Sequence, residues 1–144
     1  MSKFIYKFDT IRKVKESLEK KAQKEVAEID LSIAKYKTDL QKLVDEEKEQ
    51  NKKFSTNIKI AELKERRAYL VSLKKKMENV QLQINALYVQ REKKINELIQ
   101  KSKEHKIFDS LEDVYRDQYN EEEKRLEMVQ VNETATQRFV REMK

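Results

Sequence analysis

The chain has 144 residues, a net charge of +6 and no glycine, proline, cysteine or tryptophan. This composition disfavours a β-rich domain, because the tight turns of such domains usually use glycine or proline. It also excludes a disulfide framework, and no apolar run reaches the roughly 20 residues that a membrane-spanning helix needs.

Charge is unevenly distributed along the chain. Residues 1–60 carry 15 basic and 11 acidic groups (+4), residues 61–111 carry 12 and 7 (+5), and residues 112–144 carry 6 and 9 (−3). A basic surface can attract nucleic acid or anionic lipid, but a solvated, lysine-rich helix surface is the more ordinary interpretation. Met1 to Asp9 contains no apolar signal-peptide core, so we expect a cytoplasmic protein.

The first part of the chain carries one apolar stripe. Its members recur at alternating steps of three and four residues, which is the seam of a coiled coil and predicts a helix over about 4–54. The stripe consists of Phe4, Phe8, Ile11, Lys15, Leu18, Ala22, Val26, Ile29, Ile33, Tyr36, Leu40, Leu43 and Glu47.

The segment from Gln50 to Lys59 is the poorest helical sequence in the middle of the chain. Asn51, Ser55 and Asn57 are residue types typical of turns and helix N-caps. They predict a bend at about residues 55–60 and a second helix at about 61–140.

A second stripe follows the bend, with the same spacing. It consists of Leu70, Leu73, Met77, Val80, Ile84, Leu87, Arg91, Ile95, Leu98, Ser102, His105 and Phe108. Each stripe has one stutter, a place where two steps of four follow each other. Pairing the two stutters places Val26 opposite Arg91 and Ile33 opposite Ile84, with the bend centred near Ile58.

The same register leaves the end of the chain without a partner. Phe4 should face about Glu112, and residues beyond about 116 should form an overhang. At ~1.5 Å per residue, the paired part would be roughly 80 Å long and the overhang roughly 40 Å.

The overhang carries an apolar stripe, which suits a groove or a partner helix. The stripe consists of Tyr115, Tyr119, Leu126, Val129, Glu133, Thr136, Val140 and Met143, with Phe139 beside it. The acidic run of residues 121–123 disfavours nucleic acid as its partner.

We therefore predict an all-α fold, a single coiled-coil domain over residues 1–144 in which two long helices form an antiparallel hairpin. Near the bend, the cations Arg66, Arg67 and Lys74 to Lys76 cluster with Tyr69. They could form an interaction patch or be solvated neighbours of the seam, and the sequence leaves both open.

Residues typical of catalysis or metal binding are missing. His105 is the single histidine, and it falls on the seam near Ile11, where packing is its expected role. No histidine or cysteine cluster has metal-ligand spacing, and no glycine-rich loop can hold phosphate. Catalysis needs a preorganised, water-excluding site, which a single seam does not provide. We expect no enzyme activity, no cofactor and no metal.

Short motifs along nearly the whole chain resemble the FliJ family of flagellar type III export. They are the opening Phe4-x-Tyr6-x-Phe8-x-x-Ile11-Arg12, the segment Tyr69-Leu70-x-x-Leu73-x-x-x-Met77, the pair Glu97-Leu98, and Leu126 with Thr136-x-x-x-Phe139 near the end. The segment Val131-Asn132-Glu133-Thr134 departs from the family's usual pattern.

The resemblance implies a non-enzymatic stalk of the flagellar export ATPase complex. Family members place the ends of both helices in the pore of a hexameric ATPase and the bend end at the cytoplasmic domain of the membrane export gate, and they are linked to export chaperones. The implied ATPase-facing residues are Phe4, Phe8, Ile11, Tyr115, Tyr119, Leu126 and Phe139. The implied gate-facing residues are Tyr36, Leu40, Leu43, Tyr69, Leu73 and Lys76.

Other functions compatible with the pattern are the stalk of a virulence-type secretion system, a rotary-ATPase shaft, a basic coiled coil that binds nucleic acid or lipid, and a dimeric structural coiled coil. A rotary shaft usually carries a globular insertion, for which this chain has no room.

Overall fold

The protein consists of two α-helices, α1 at Asp9–Lys52 and α2 at Ile60–Glu142. This is a computed structural model, and it describes residues 3–53 and 58–143. Neither helix contains glycine or proline, the residues that most often break a helix, which is why α2 continues over 83 residues. The predictions of an all-α chain and of a longer second helix are confirmed.

Helix α1 begins five residues later than the apolar stripe suggests. Residues 3–6 have no regular secondary structure, and the first turn forms where the Arg12 amide donates to the Phe8 carbonyl at 2.8 Å. Asp9 begins the helix, and its carboxylate accepts a hydrogen bond from the Arg12 guanidinium at 2.7 Å. A negative charge at this position is favourable because the helix dipole is positive at its N-terminus.

The predicted bend lies partly outside the described residues, since residues 54–57 are not described. On either side of them, Lys53 is in a turn, and Ile58 and Lys59 are non-helical. Arg66 donates a hydrogen bond to the Lys53 carbonyl. Helix α2 begins at Ile60.

Contacts within the chain form two units, which we describe separately. The first, which we call the terminal unit, contains Met1–Glu19 and Gln100–Lys144; the second, the central unit, contains Lys20–Ile99. In each unit a part of α1 packs antiparallel against a part of α2. The prediction of one domain over the whole chain stays a prediction.

The central unit is held by a narrow apolar seam. Its buried side chains are Ala22, Ile33, Leu73 and Ile84, all of which belong to the predicted stripes. Leu73 is only 1% exposed, and Ile84 only 3%. Because two helices enclose so little volume, few side chains are completely buried, and the other apolar stripe positions of the unit are half-buried.

Ion pairs flank this seam and show where the two helices meet. Lys94 Nζ lies 3.3 Å from a carboxylate oxygen of Glu25, and Arg91 Nε donates to Asp30 Oδ1 at 2.5 Å. The predicted register places Arg91 opposite Val26, one helical turn before Asp30. The guanidinium binds the carboxylate because a charged group loses less solvation when it is paired at the edge of a seam than among aliphatic side chains.

Candidate interaction surfaces

Residues 3–6 have no regular secondary structure and residues 7 and 8 lie in a turn, and the aromatic side chains of this segment alternate with exposed ones. We call Phe4, Tyr6 and Phe8 the aromatic strip. Tyr6 is 7% exposed and its two strip neighbours are half-buried, whereas Ile5 between them is 84% exposed. This period of two is typical of an extended chain with one side against a surface. The aromatic strip therefore covers α2 without being part of α1.

The aromatic strip packs on rings of α2. Phe4 lies 5.5 Å from Tyr119 between ring centroids, and Phe8 lies 6.0 Å from Tyr115 and 6.2 Å from Phe108. The sequence register placed Phe4 opposite Glu112, which is wrong by about two helical turns. The reason is that residues 3–6 are not helical, and a non-helical chain can advance farther per residue than the about 1.5 Å of a helix, so this segment reaches farther along α2.

Tyr6 fixes the aromatic strip by a polar contact as well as by packing. Its hydroxyl donates a hydrogen bond to the Phe108 carbonyl at 2.7 Å, and its ring lies 6.1 Å from that of Tyr115. Burial raises the pKa of the Tyr6 phenol above its ordinary value of 10.0, and the nearby carboxylate of Glu112 acts in the same direction.

Charged side chains surround the junction between the aromatic strip and α1. Arg12 lies 2.7 Å from Asp9, 3.4 Å from Glu112 and 3.9 Å from Asp109. The hydrogen bond from Arg12 is the main reason why the pKa of Asp9 is lowered. Such charge-assisted contacts hold the start of α1 on α2 at a position that the apolar spacing does not specify.

His105 takes part in this polar network and does not pack as an apolar seam residue. Its Nδ1 lies 2.5 Å from Glu19 Oε2 and its Nε2 lies 3.2 Å from Asp109 Oδ2, while the ring is half-buried. The expected seam position near Ile11 is therefore wrong. The i, i+4 spacing of His105 and Asp109 was the available sequence signal for part of this arrangement.

The end of α2 projects as a single helix, which we call the tail (residues 124–143). In this described segment every side chain is exposed, including Leu126 at 46% and Phe139 at 62%. Leu126, Val129 and Val140 form one apolar row. A second row, Val131, Ala135 and Phe139, lines a shallow groove on another face of the helix.

The remaining residues assigned by resemblance to the ATPase side lie at the base of the tail or before it. Tyr115 and Tyr119 are half-buried under the aromatic strip, and Ile11 is 43% exposed. The terminal unit thus brings Phe4, Phe8, Tyr115 and Tyr119 into one aromatic cluster. Leu126 and Phe139 stand apart from the cluster on the tail.

The residues assigned to the gate side lie in the central unit and differ in access. Tyr36, Leu40 and Leu43 are half-buried, and Leu73 is completely enclosed by the helix pair. Tyr69 is 40% exposed and donates its hydroxyl to Glu46, and Lys76 is exposed. Of this set, Tyr69 and Lys76 are the most accessible. Leu73 can affect a binding surface in this unit only indirectly, by holding the two helices together.

In the described part of the chain, no group of histidine, cysteine or carboxylate side chains is arranged to hold a metal ion. No described helix combines the length and apolar character needed to cross a membrane.

The sequence also matches a known protein family. A family model described as "Flagellar FliJ protein" matches residues 3–144, which is nearly the whole chain. Neither curated proteins nor solved structures show a match.

Proposed function

The chain belongs to the FliJ family, and on that premise we propose that it is the central stalk of a flagellar type III export ATPase complex. In this proposal the terminal unit binds a hexameric export ATPase. The central unit binds the cytoplasmic domain of the membrane export gate near the bend. The protein promotes ATPase assembly and coupling, takes part in chaperone handling, and hydrolyses nothing itself.

The observation that carries the proposal is the apolar surface of the tail. Apolar side chains are exposed on two faces of this single helix, at Leu126, Val129 and Val140 and at Val131 and Phe139. A flat partner would cover one face only. A helix that is apolar on several sides is stable when it is surrounded, and the pore of a ring surrounds a helix.

The aromatic cluster supports a second contact with the ring at the base of the tail. Phe4 is half-buried against Tyr119, and the guanidinium of Arg116 lies 5.3 Å from the Phe4 ring. Aromatic rings and arginine are the residue types most often responsible for binding energy at interfaces. The cluster is rigid because it is packed on α2, so binding would cost little side-chain entropy.

On the gate side, we propose that Tyr69 and Lys76 make the direct contacts. Both are exposed on the first turns of α2. Tyr36, Leu40 and Leu43 would add half-buried apolar surface on α1, and Leu73 keeps the helix pair in place. The protein would then lie in the cytoplasm, peripherally associated with the inner membrane through its partners.

The proposal is tested by stimulation of the purified cognate hexameric ATPase. We expect the full chain to increase ATP hydrolysis and the double variant Leu126→Glu/Phe139→Glu to lose this effect, because charged side chains oppose burial of the tail. The matched control is Ile107→Glu/Val114→Glu, which adds the same two charges at exposed apolar positions of the terminal unit outside the tail, 57% and 50% exposed.

Equal stimulation by the tail variant and the control would exclude the tail as the ATPase contact. Stimulation of a virulence-type ATPase but not of the flagellar enzyme would contradict the flagellar assignment.

A further inference from the structure

The first turns of α2 carry a basic face that points away from the seam. It consists of Ile60, Lys64, Arg67, Val71, Lys74 and Lys75, all exposed. Their steps of one, three and four residues keep them on one side of the helix. Val71 is 61% exposed and Leu73 only 1%, because two residues correspond to about 200° around an α-helix.

The net charge around the start of α2 is strongly positive. Residues 59–76 contain seven basic and two acidic residues, a net charge of +5. The two acids, Glu62 and Glu65, lie away from the basic face by their helical positions. Within the face, Lys64, Arg67, Lys74 and Lys75 surround Val71 at distances of three, four and seven residues along the helix.

Two aliphatic side chains lie among these cations. Ile60 is 74% exposed and Val71 is 61% exposed, and neither has a role in the seam. Cations around exposed aliphatic groups are what an anionic bilayer surface binds, since the cations attract lipid phosphates while the aliphatic groups enter the headgroup region. Nucleic acid fits less well, because the face contains no aromatic side chain on which bases could stack.

From this arrangement we propose that the basic face binds the surface of an anionic phospholipid bilayer. The contact is peripheral: the helix lies on the headgroups and nothing crosses the bilayer. It uses none of the residues proposed for the ATPase or the gate. It would therefore place the protein at the membrane independently of those partners.

The test is co-sedimentation of the full chain with vesicles of phosphatidylcholine mixed with phosphatidylglycerol, compared with vesicles of phosphatidylcholine alone. We expect binding to the anionic vesicles only, and a decrease with added salt. Each lysine near an anionic surface strengthens binding about fivefold, so reversing two lysines in K74E/K75E should weaken binding by about 25-fold or more.

The chain offers matched controls for both components of the face. K103E/K106E changes the net charge equally at two exposed lysines of the terminal unit and should bind nearly as the natural chain does. Ile60→Gln/Val71→Gln should weaken binding even at high salt. Leu82→Gln/Val89→Gln should not, because these equally exposed aliphatic residues lie in the uncharged run of residues 79–90. Circular dichroism checks that each variant remains helical.

Three outcomes would overturn the proposal: no binding to the anionic vesicles, equal loss in K74E/K75E and K103E/K106E, or binding of an RNA oligonucleotide that is lost in K74E/K75E while the vesicles are not bound.

Discussion

At the scale of single residues, Tyr6 joins the aromatic strip to α2. It is the one buried side chain of the strip, and its hydroxyl donates to a main-chain carbonyl of the opposite helix. At the end of the strip the Asp9 and Arg12 amides donate to the Tyr6 and Phe8 carbonyls, and side-chain packing and the Tyr6 hydroxyl contact hold the strip on α2.

We predict that Tyr6→Phe loosens the strip without unfolding the helices. Loss of one hydrogen bond costs about 1 kcal/mol, which corresponds to about fivefold faster local opening. Amide hydrogen exchange at residues 9–12, next to the strip, measures this opening. Tyr88→Phe is the control, since Tyr88 is 43% exposed and its ring contact with Lys37 does not need the hydroxyl. Equal exchange in both variants would contradict the anchoring role of Tyr6.

The contact of Tyr6 with α2 should be lost in alkali. Burial raises the pKa of Tyr6, so the folded strip favours the neutral phenol. The stabilisation is therefore complete below the ordinary pKa of 10.0 and is lost as the pH rises through the higher pKa of the folded state. The protection of the amides at residues 9–12, relative to the base-catalysed exchange rate of an unfolded chain, should fall over this range in the natural chain, and Tyr6→Phe should remove this fall.

At the scale of elements, the stability of each helix pair rests on few contacts. In the central unit the buried residues are Ala22, Ile33, Leu73 and Ile84. In the terminal unit, cross-helix ion pairs accompany the aromatic cluster. An 83-residue helix cannot bury a whole face against a 44-residue partner, so each buried contact counts for more than in a compact domain.

We predict that Leu73→Ala destabilises the helix pair by about 2–3 kcal/mol, the lower part of the range for buried leucine, because the thin seam can partly collapse around the lost volume. Urea unfolding followed by circular dichroism measures the change. Leu82→Ala, at a position 65% exposed, should cost less than about 0.5 kcal/mol. Similar costs at the two positions would mean that Leu73 is not a seam residue in solution.

The ion pair of Lys15 and Glu104 should make the stability of the terminal unit depend on pH in the acid range. Lys15 Nζ donates to Glu104 Oε2 at 3.2 Å, and this hydrogen bond is the main reason why the pKa of Glu104 lies below its ordinary value of 4.5. The pair therefore stabilises the folded state above pH 4.5, and this contribution disappears as the pH falls through the lower folded pKa.

Accordingly, Glu104→Gln should be less stable than the natural chain at neutral pH, and the difference should shrink in acid. Thermal unfolding across a pH series measures it, with Glu92→Gln, at an exposed position, as the control. A difference that does not change with pH would show that Glu104 acts by packing.

At the scale of the whole molecule, the two proposed partners bind different residues and should be separable. We predict that Leu126→Glu/Phe139→Glu abolishes ATPase stimulation but keeps binding to the purified gate domain. Tyr69→Ala/Lys76→Glu should have the opposite effect. ATP hydrolysis and a pull-down with the gate domain measure the two activities on the same preparations. Loss of both activities in either variant, with helicity intact, would contradict separate surfaces.

Much of this protein could be predicted from its sequence. The absence of glycine and proline together with the three-four spacing predicted two helices, and Ile33, Leu73 and Ile84 were all seam positions. The short motifs also led to the family. These properties depend on residues near one another along the chain, so periodicity reports them directly.

What only the tertiary structure decided are the contacts between distant residues in the terminal unit. Phe4 and Phe8 fit a helical stripe, whereas Phe4, Tyr6 and Phe8 together fit a two-residue alternation, and the choice depends on the rings that α2 presents to them. Likewise, the contacts of His105 with Glu19 and of Arg12 with Glu112 set the alignment of the two helices there. A heptad stripe accepts several alignments of nearly equal apolar burial, and only the polar and aromatic contacts across the pair select one.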